Sequence, residues 1–183
     1  MFDLQAEIAR IYTINEKWWR DIKTGEPIAR DDGELFALMA SELSEALEGE
    51  RKNLDDDKLP AFKMAGVEMV DFSVRILDFV GRREIPIFDA IDICRERFPW
   101  VNVTPDSNRG DLIWKMHVRL AWCSDATRKM QGTHFSYLLA DARLYCETFG
   151  YPFLEAYEAK VRYNETRADH SHEARMLADG KKF

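Results

Sequence analysis

Glu42 and Glu45 stand in a Glu-x-x-Glu pattern, and Glu68 and Asp71 form a Glu-x-x-Asp pattern after a gap of 22 residues. Residues three apart on a helix share a face, so each pair presents two carboxylates side by side. Two such helices packed together would concentrate four acids in one cleft. Without counter-charge those groups repel one another, and a divalent cation is the usual remedy. An all-oxygen donor set suits Mg²⁺, with Mn²⁺ as a substitute, better than zinc.

The elements that carry these acids must turn them inward. On a helical wheel of about 100° per residue, Glu42 falls between Leu35 and Leu38, at the edge of the stripe made by Leu35, Met39, Leu43 and Ala46. The third helix is apolar nearly all round, through Phe62, Ala65, Val67, Met69, Val70, Phe72, Val74, Ile76, Leu77 and Val80. Its main polar strip is Glu68, Asp71 and Arg75. A helix of that kind is buried, and a buried carboxylate is costly unless paired or metal-bound. Each pair alone fits an internal salt-bridge network centred on Arg75 better than it fits a metal; both pairs facing one cleft shift the balance towards metal. A di-iron bundle would need Glu-x-x-His on two helices. The equivalent positions here are Glu45 and Asp71, and none of the four histidines lies in either motif, so redox iron chemistry is disfavoured.

The whole chain reads as all-α. No segment carries sustained period-two alternation with hairpin turns. Helices are predicted over 3–19, 34–52, 61–80, 86–97, 111–130, 134–149 and 153–168. They are separated by the break at 23–27, the polar run 53–60 and the linker-like stretch 99–110. At 183 residues, 46% of them hydrophobic, the chain is long enough for a sizeable core and is read as a single domain over 1–183. Its 33 acidic against 26 basic residues, net −7, argue against a partner that is a nucleic-acid polymer or an anionic membrane. Any phosphate must be met locally, by metal or by a few placed cations. Cys94, Cys123 and Cys146 lack metal-type spacing and read as buried thiols of a cytoplasmic protein. The first residues lack the basic and apolar regions of a leader, and no stretch approaches membrane-spanning length, so a soluble, uncleaved chain is expected.

The helix order suggests an internal repeat, 34–98 against 111–168. A shift of 77 lays Leu35 on Leu112, Met39 on Met116, Leu43 on Leu120 and Arg51 on Arg128; a shift of 70 lays Asp71 on Asp141 and Phe79 on Phe149. In the second copy, Arg119 and Trp122 stand where Glu42 and Glu45 would be.

The last long helix carries Lys160, Asn164 and Arg167 at spacings of four and three, again on one face. Alone they fit an ordinary solvated stripe. Beside a carboxylate cleft they fit a triphosphate, because Lys and Arg neutralise phosphate oxygens that metal leaves over. Lys181 and Lys182 close the chain and add phosphate attraction. His170 and His172 lie in a tail that is either plain surface or a lid over bound nucleotide.

With these residues in place, the chain resembles the all-α nucleoside triphosphate pyrophosphohydrolases, the superfamily containing MazG and the dimeric dUTPases. The carriers are Glu42-x-x-Glu45, the spaced Glu68-x-x-Asp71, and the Lys160, Asn164, Arg167 helix. The stretches 14–28 and 167–183 look like phage-type MazG-like proteins. The resemblance implies a helical bundle, either single or duplicated in tandem, and a Mg²⁺-dependent split of a (deoxy)nucleoside triphosphate into monophosphate and pyrophosphate. Metal would be held by the four acids, with Glu45 and Glu42 in catalysis and phosphate on Lys160, Asn164 and Arg167. Asn15, Trp18, Trp19 and His170 are candidates for the base and sugar, although core packing explains the tryptophans equally well. Roughly 65 residues between the Glu-x-x-Asp helix and the Lys, Asn, Arg helix depart from minimal members. An internal repeat would supply the helix pairing those members obtain by dimerising, and a homodimer or higher oligomer stays open. The rivals are a dUTPase, which the acids do not distinguish, and a non-catalytic nucleotide-binding or helical interaction protein.

Overall fold

The computed structural model describes residues 3–96, 103–167 and 172–177. Among these, eight α-helices and no sheet are present: α1 (Leu4–Ile14), α2 (Asp32–Lys52), α3 (Met64–Arg83), α4 (Ile91–Glu96), α5 (Arg109–Asp125), α6 (Arg128–Phe149), α7 (Phe153–Thr166) and α8 (His172–Met176). The all-α expectation holds. No helix among the described residues is long and apolar enough to cross a membrane.

The helix ends follow from local chemistry. Asp3, Asp31 and Asn108 each accept hydrogen bonds from backbone N–H groups of the first turn, capping α1, α2 and α5. Asp32 and Glu34 open α2 and Arg51 and Lys52 close it, signs that suit the helix dipole. Several boundaries differ from the sequence expectation, among them the start of the fourth helix, at Ile91 instead of Pro86. The first helix ends at Ile14, and Asn15–Trp19 tightens into a 3₁₀ turn. The third begins at Met64, because the Asp56 carboxylate ties Lys58 and Leu59 into a turn before it. The break between α5 and α6 falls at 126–127 instead of 131–133, with Gln131 Nε2 donating to the Cys123 carbonyl and helping close α5. Gly132 falls between the helices expected over 111–130 and 134–149 but lies inside α6, where a Cβ would sit 2.1 Å from the Pro86 carbonyl oxygen. That glycine permits close packing, not a turn.

One apolar core runs through α1, α2, α3, α5, α6 and α7. The α3 helix is its axis, with Met69, Val70, Phe72, Ile76 and Leu77 fully buried. Phe36, Phe79 and Phe135 form a mutually packed triad with centroids 5.3 to 6.1 Å apart, joining α2, α3 and α6. α2 packs against α3 and α5, and α6 packs against α3 and α5. α1 lies on α3 and α4 on α6, while α7 closes over α3. Cys94, Cys123 and Cys146 are buried free thiols, as their spacing implied.

Candidate functional site

The run from Asn53 to Lys63 reverses the chain, so α2 and α3 are antiparallel: Phe36 meets Phe79 at one level and Glu42 meets α3 near Asp71 at another. Because Glu68 and Asp71 share a face of α3, this register brings both to Glu42. One carboxylate oxygen from each of Glu42, Glu68 and Asp71 lies within 4.8 Å of the other two. Glu42 and Glu68 are only 5% and 6% exposed.

Glu45 does not join this trio. It is exposed and lines the adjacent cleft, one turn from Glu42. The expected four-acid cluster is therefore three inner carboxylates and one at the rim. The reason is helical phase: Glu42 points between α2 and α3, whereas a three-residue step of about 300° carries Glu45 to the edge of that seam.

Two cations already face the trio. Arg75 Nε donates to Glu42 Oε1, and Lys160 Nζ lies 2.6 Å from Asp71 Oδ2. Lys160 was expected among the phosphate ligands. It is instead buried on Asp71, because α7 packs along α3 and delivers its ammonium to the acids. Three carboxyl groups against two cations leave the site one positive charge short, and a proton makes up the difference. Burial, then the Asp71 and Glu42 carboxylates, push the Glu68 carboxyl up to about 9. Burial also raises Asp71, against the pull of Lys160. For Lys160 burial acts downward, and Asp71 more than offsets it, leaving the ammonium above its ordinary value.

The cleft beside these acids has a volume of about 340 Å³. Glu42, Glu45, Asp71 and Arg75 line one part of it. Asn15, Trp18, Arg30 and Asp78 line another, with apolar walls from Leu35, Leu38, Met39, Val74 and Phe79. Asn164 and Arg167 complete the lining. Asn164 sits near the tryptophan segment, its carbonyl accepting from Lys17 Nζ at 3.3 Å, and its side-chain Oδ1 is buried with no hydrogen-bond partner.

The two tryptophans part ways. Trp18 lines the cleft, and the Arg175 guanidinium from α8 stacks on its ring at 4.2 Å while donating to the Lys17 carbonyl at 2.7 Å. Trp19 does not line the cleft; it is buried and gives its indole N–H to Asp78 Oδ2 at 3.0 Å. The core-packing alternative describes Trp19, and the cleft alternative describes Trp18. His172 meets the Ile22 carbonyl at 2.8 Å, so α8 lies against the segment that carries Trp18. His170, Lys181 and Lys182 lie outside the described residues.

Asp78, Arg30 and Arg175 were not anticipated. Asp78 had a legible signal, since it stands seven residues after Asp71 and so on the same face of α3. Arg30 and Arg175 had none, because only tertiary packing brings Arg30 to the cleft and Arg175 onto the Trp18 ring.

Fold and site together define an all-α protein with a buried three-carboxylate centre opening on an aromatic and cationic cleft. No family model, no curated protein and no solved structure matches the chain.

Proposed function

We propose that the cleft binds a nucleoside triphosphate, with deoxynucleotides the expected class, and hydrolyses it between the α- and β-phosphates in a Mg²⁺-dependent reaction. The products are the nucleoside monophosphate and pyrophosphate. One observation carries the reading: Glu42, Glu68 and Asp71, from two antiparallel helices, converge within 4.8 Å at the side of a cleft that also holds an indole and an arginine. The sequence resemblance to MazG-like and dimeric dUTPase-like pyrophosphohydrolases supports the same reading.

The donor set fits a hard divalent ion. All three groups offer oxygen, they are close enough to share one ion, and their charge balance is short by one in its absence. Glu42, Glu68 and Asp71 would hold it, with Glu45 at the rim. When bound, Mg²⁺ supplies polarisation of the phosphoryl group and a lowered pKa for water.

The side chains have separable tasks. Glu45, exposed beside the inner acids, orients water and accepts its proton. Lys160 opposes the rise that burial imposes on Asp71 and holds its carboxyl in place. Arg75 and Arg167 neutralise phosphate charge, and Asn164 offers its unpartnered amide oxygen to a sugar hydroxyl or base N–H. Trp18 presents an aromatic ring for stacking.

The test is a panel of dNTPs and NTPs with Mg²⁺ and then Mn²⁺, resolving monophosphate, pyrophosphate and orthophosphate. Monophosphate plus pyrophosphate is expected, reduced at least 100-fold in Glu42→Gln and in Asp71→Asn. No turnover with any nucleotide overturns the reading.

A second reading is favoured by the ion pairs themselves. Arg75 on Glu42 and Lys160 on Asp71 form a neutralised network that holds α2, α3 and α7 together without metal, as a nucleotide sensor or helical scaffold would require. Stabilisation by metal and nucleotide without turnover would support the sensor, and no response to either would support the scaffold.

A further inference from the structure

The trio fixes where the reacting phosphate would lie, and α3 then measures the rest of the ligand. Asp78 is two helical turns beyond Asp71 on the same face, about 10 Å along the axis at 1.5 Å per residue. Both residues line one cleft. A nucleoside with its α-phosphate at Asp71 spans a distance of that order to the far edge of its base. The walls at the Asp78 level suit a flat ring: Leu35, Met39, Val74 and Phe79 on the helices, with Trp18 in the same cleft.

Asp78 is a buried acid at 7% exposure, and its two oxygens are unequally satisfied. Oδ2 accepts the Trp19 indole N–H, which fixes the carboxylate plane. Oδ1 has no partner within hydrogen-bond distance; Arg82 Nε stands 3.7 Å away, and the Asn15 side chain and Arg30 also bear on the carboxyl from the same lining. A buried acceptor left without a donor is an expensive feature to keep. Asn164 Oδ1, in the same lining, is a second acceptor in that condition. A ligand edge that donates N–H satisfies both groups, whereas an edge that presents carbonyl oxygen repels an anionic acceptor.

Resting on the hydrolase reading of the same site, we propose that Asp78 is a specificity-determining residue that accepts an exocyclic amine, so the cleft selects amine-bearing bases over uracil and thymine. This separates the general pyrophosphohydrolase from the dUTPase, which the acids leave undistinguished. A site built to pair a donor rejects the analogue lacking it strongly, because the buried acceptor is then stranded.

Matched substrates test that group. dGTP and dITP differ by the 2-amine alone, while dCTP and dUTP exchange the 4-amine for a carbonyl and turn N3 from an acceptor into a donor. The native protein is expected to favour the amine in at least one pair by tenfold or more in kcat/KM. Asp78→Asn, which keeps an oxygen for Trp19 and adds a donor, is expected to bring that ratio near one without abolishing turnover. Equal use of both members of each pair by the native protein overturns the proposal, and this arm stands even where the variant fails to fold. An unchanged ratio in folded Asp78→Asn overturns it as well. If no triphosphate is hydrolysed, the hydrolase reading falls and Asp78 is judged by calorimetry with α,β-methylene analogues and Mg²⁺. A tenfold tighter Kd for the dCTP or dGTP analogue than for its partner sustains the role, and equal affinities overturn it.

Discussion

Glu68 shows how a residue carries the state of the whole site. Its folded carboxyl titrates near 9, against an ordinary value of 4.5, chiefly because burial disfavours the charged form. At neutral pH without metal it therefore keeps its proton, which offsets the excess of three carboxyl groups over the two cations Arg75 and Lys160. The unfolded chain gives up that proton first, near its ordinary value. Between there and about 9 the unfolded state binds fewer protons, so stability falls as pH rises. Thermal melts in chelator are expected to show Tm declining from pH 6 to pH 9, and Glu68→Gln, permanently neutral, should flatten that decline. A slope unchanged in the variant would remove Glu68 as its source. The acids were legible as pairs because helical spacing alone puts them on one face. Asp78 was legible only as a residue on the Asp71 face of α3; whether that position meets a cleft or a neighbouring tryptophan was not.

Elements were read well where the chain announces its ends and poorly where packing sets them. Asp31 before α2 and Gly150 after α6, the latter in the left-handed region at φ 78°, are signals written in residue type. Gly132 lies inside α6 and its role depends on a distant segment. The Pro86 carbonyl occupies the space a side chain would need, so α6 passes the chain before α4 at backbone contact. Gly132→Ala is expected to destabilise the fold by about 1–3 kcal/mol, the usual range for overpacking, read as a lower midpoint in urea. The α8 helix belongs here too. Its Arg175 is 5% exposed, held by the Trp18 ring and the Lys17 carbonyl, contacts that no periodicity in a five-residue helix could announce.

At the scale of the molecule, the helix contacts have the pattern an internal repeat would give. α2 pairs with α3 as α5 pairs with α6, the first members touch each other, and so do the second. α1 rests on α3 as α4 rests on α6. Where the alignment lays Arg119 on Glu42 and Asp141 on Asp71, the structure sets those two side chains 3.8 Å apart, both buried. A fixed guanidinium thus stands opposite an acid in the second helix pair, where the first presents a group able to ligate metal. Burial raises Asp141 to about 6, with Arg119 opposing, and lowers Arg119. Removing either partner leaves an uncompensated buried charge: Asp141→Asn or Arg119→Met is expected to cost about 3–5 kcal/mol, whereas an apolar replacement of both should lie near neutral. Urea midpoints of the singles and the double form the cycle that checks this, and additive losses would argue against the pair.

Sequence by itself determined that the chain is helical, that α3 is buried, and that Glu42, Glu68 and Asp71 can face one another. Those properties are local, set by residue type and a 3.6-residue period. Only the tertiary structure decided that Glu45 stays at the rim, that Lys160 settles on Asp71, that Trp19 enters the core while Trp18 reaches the cleft, and that Asp78 lines the same cleft as the acids. Helical phase fixes which side chains share a face. Which faces meet, and at what register, is fixed by how side chains such as Phe36, Phe79 and Phe135 interlock across three helices, and that is a property of their combined shape.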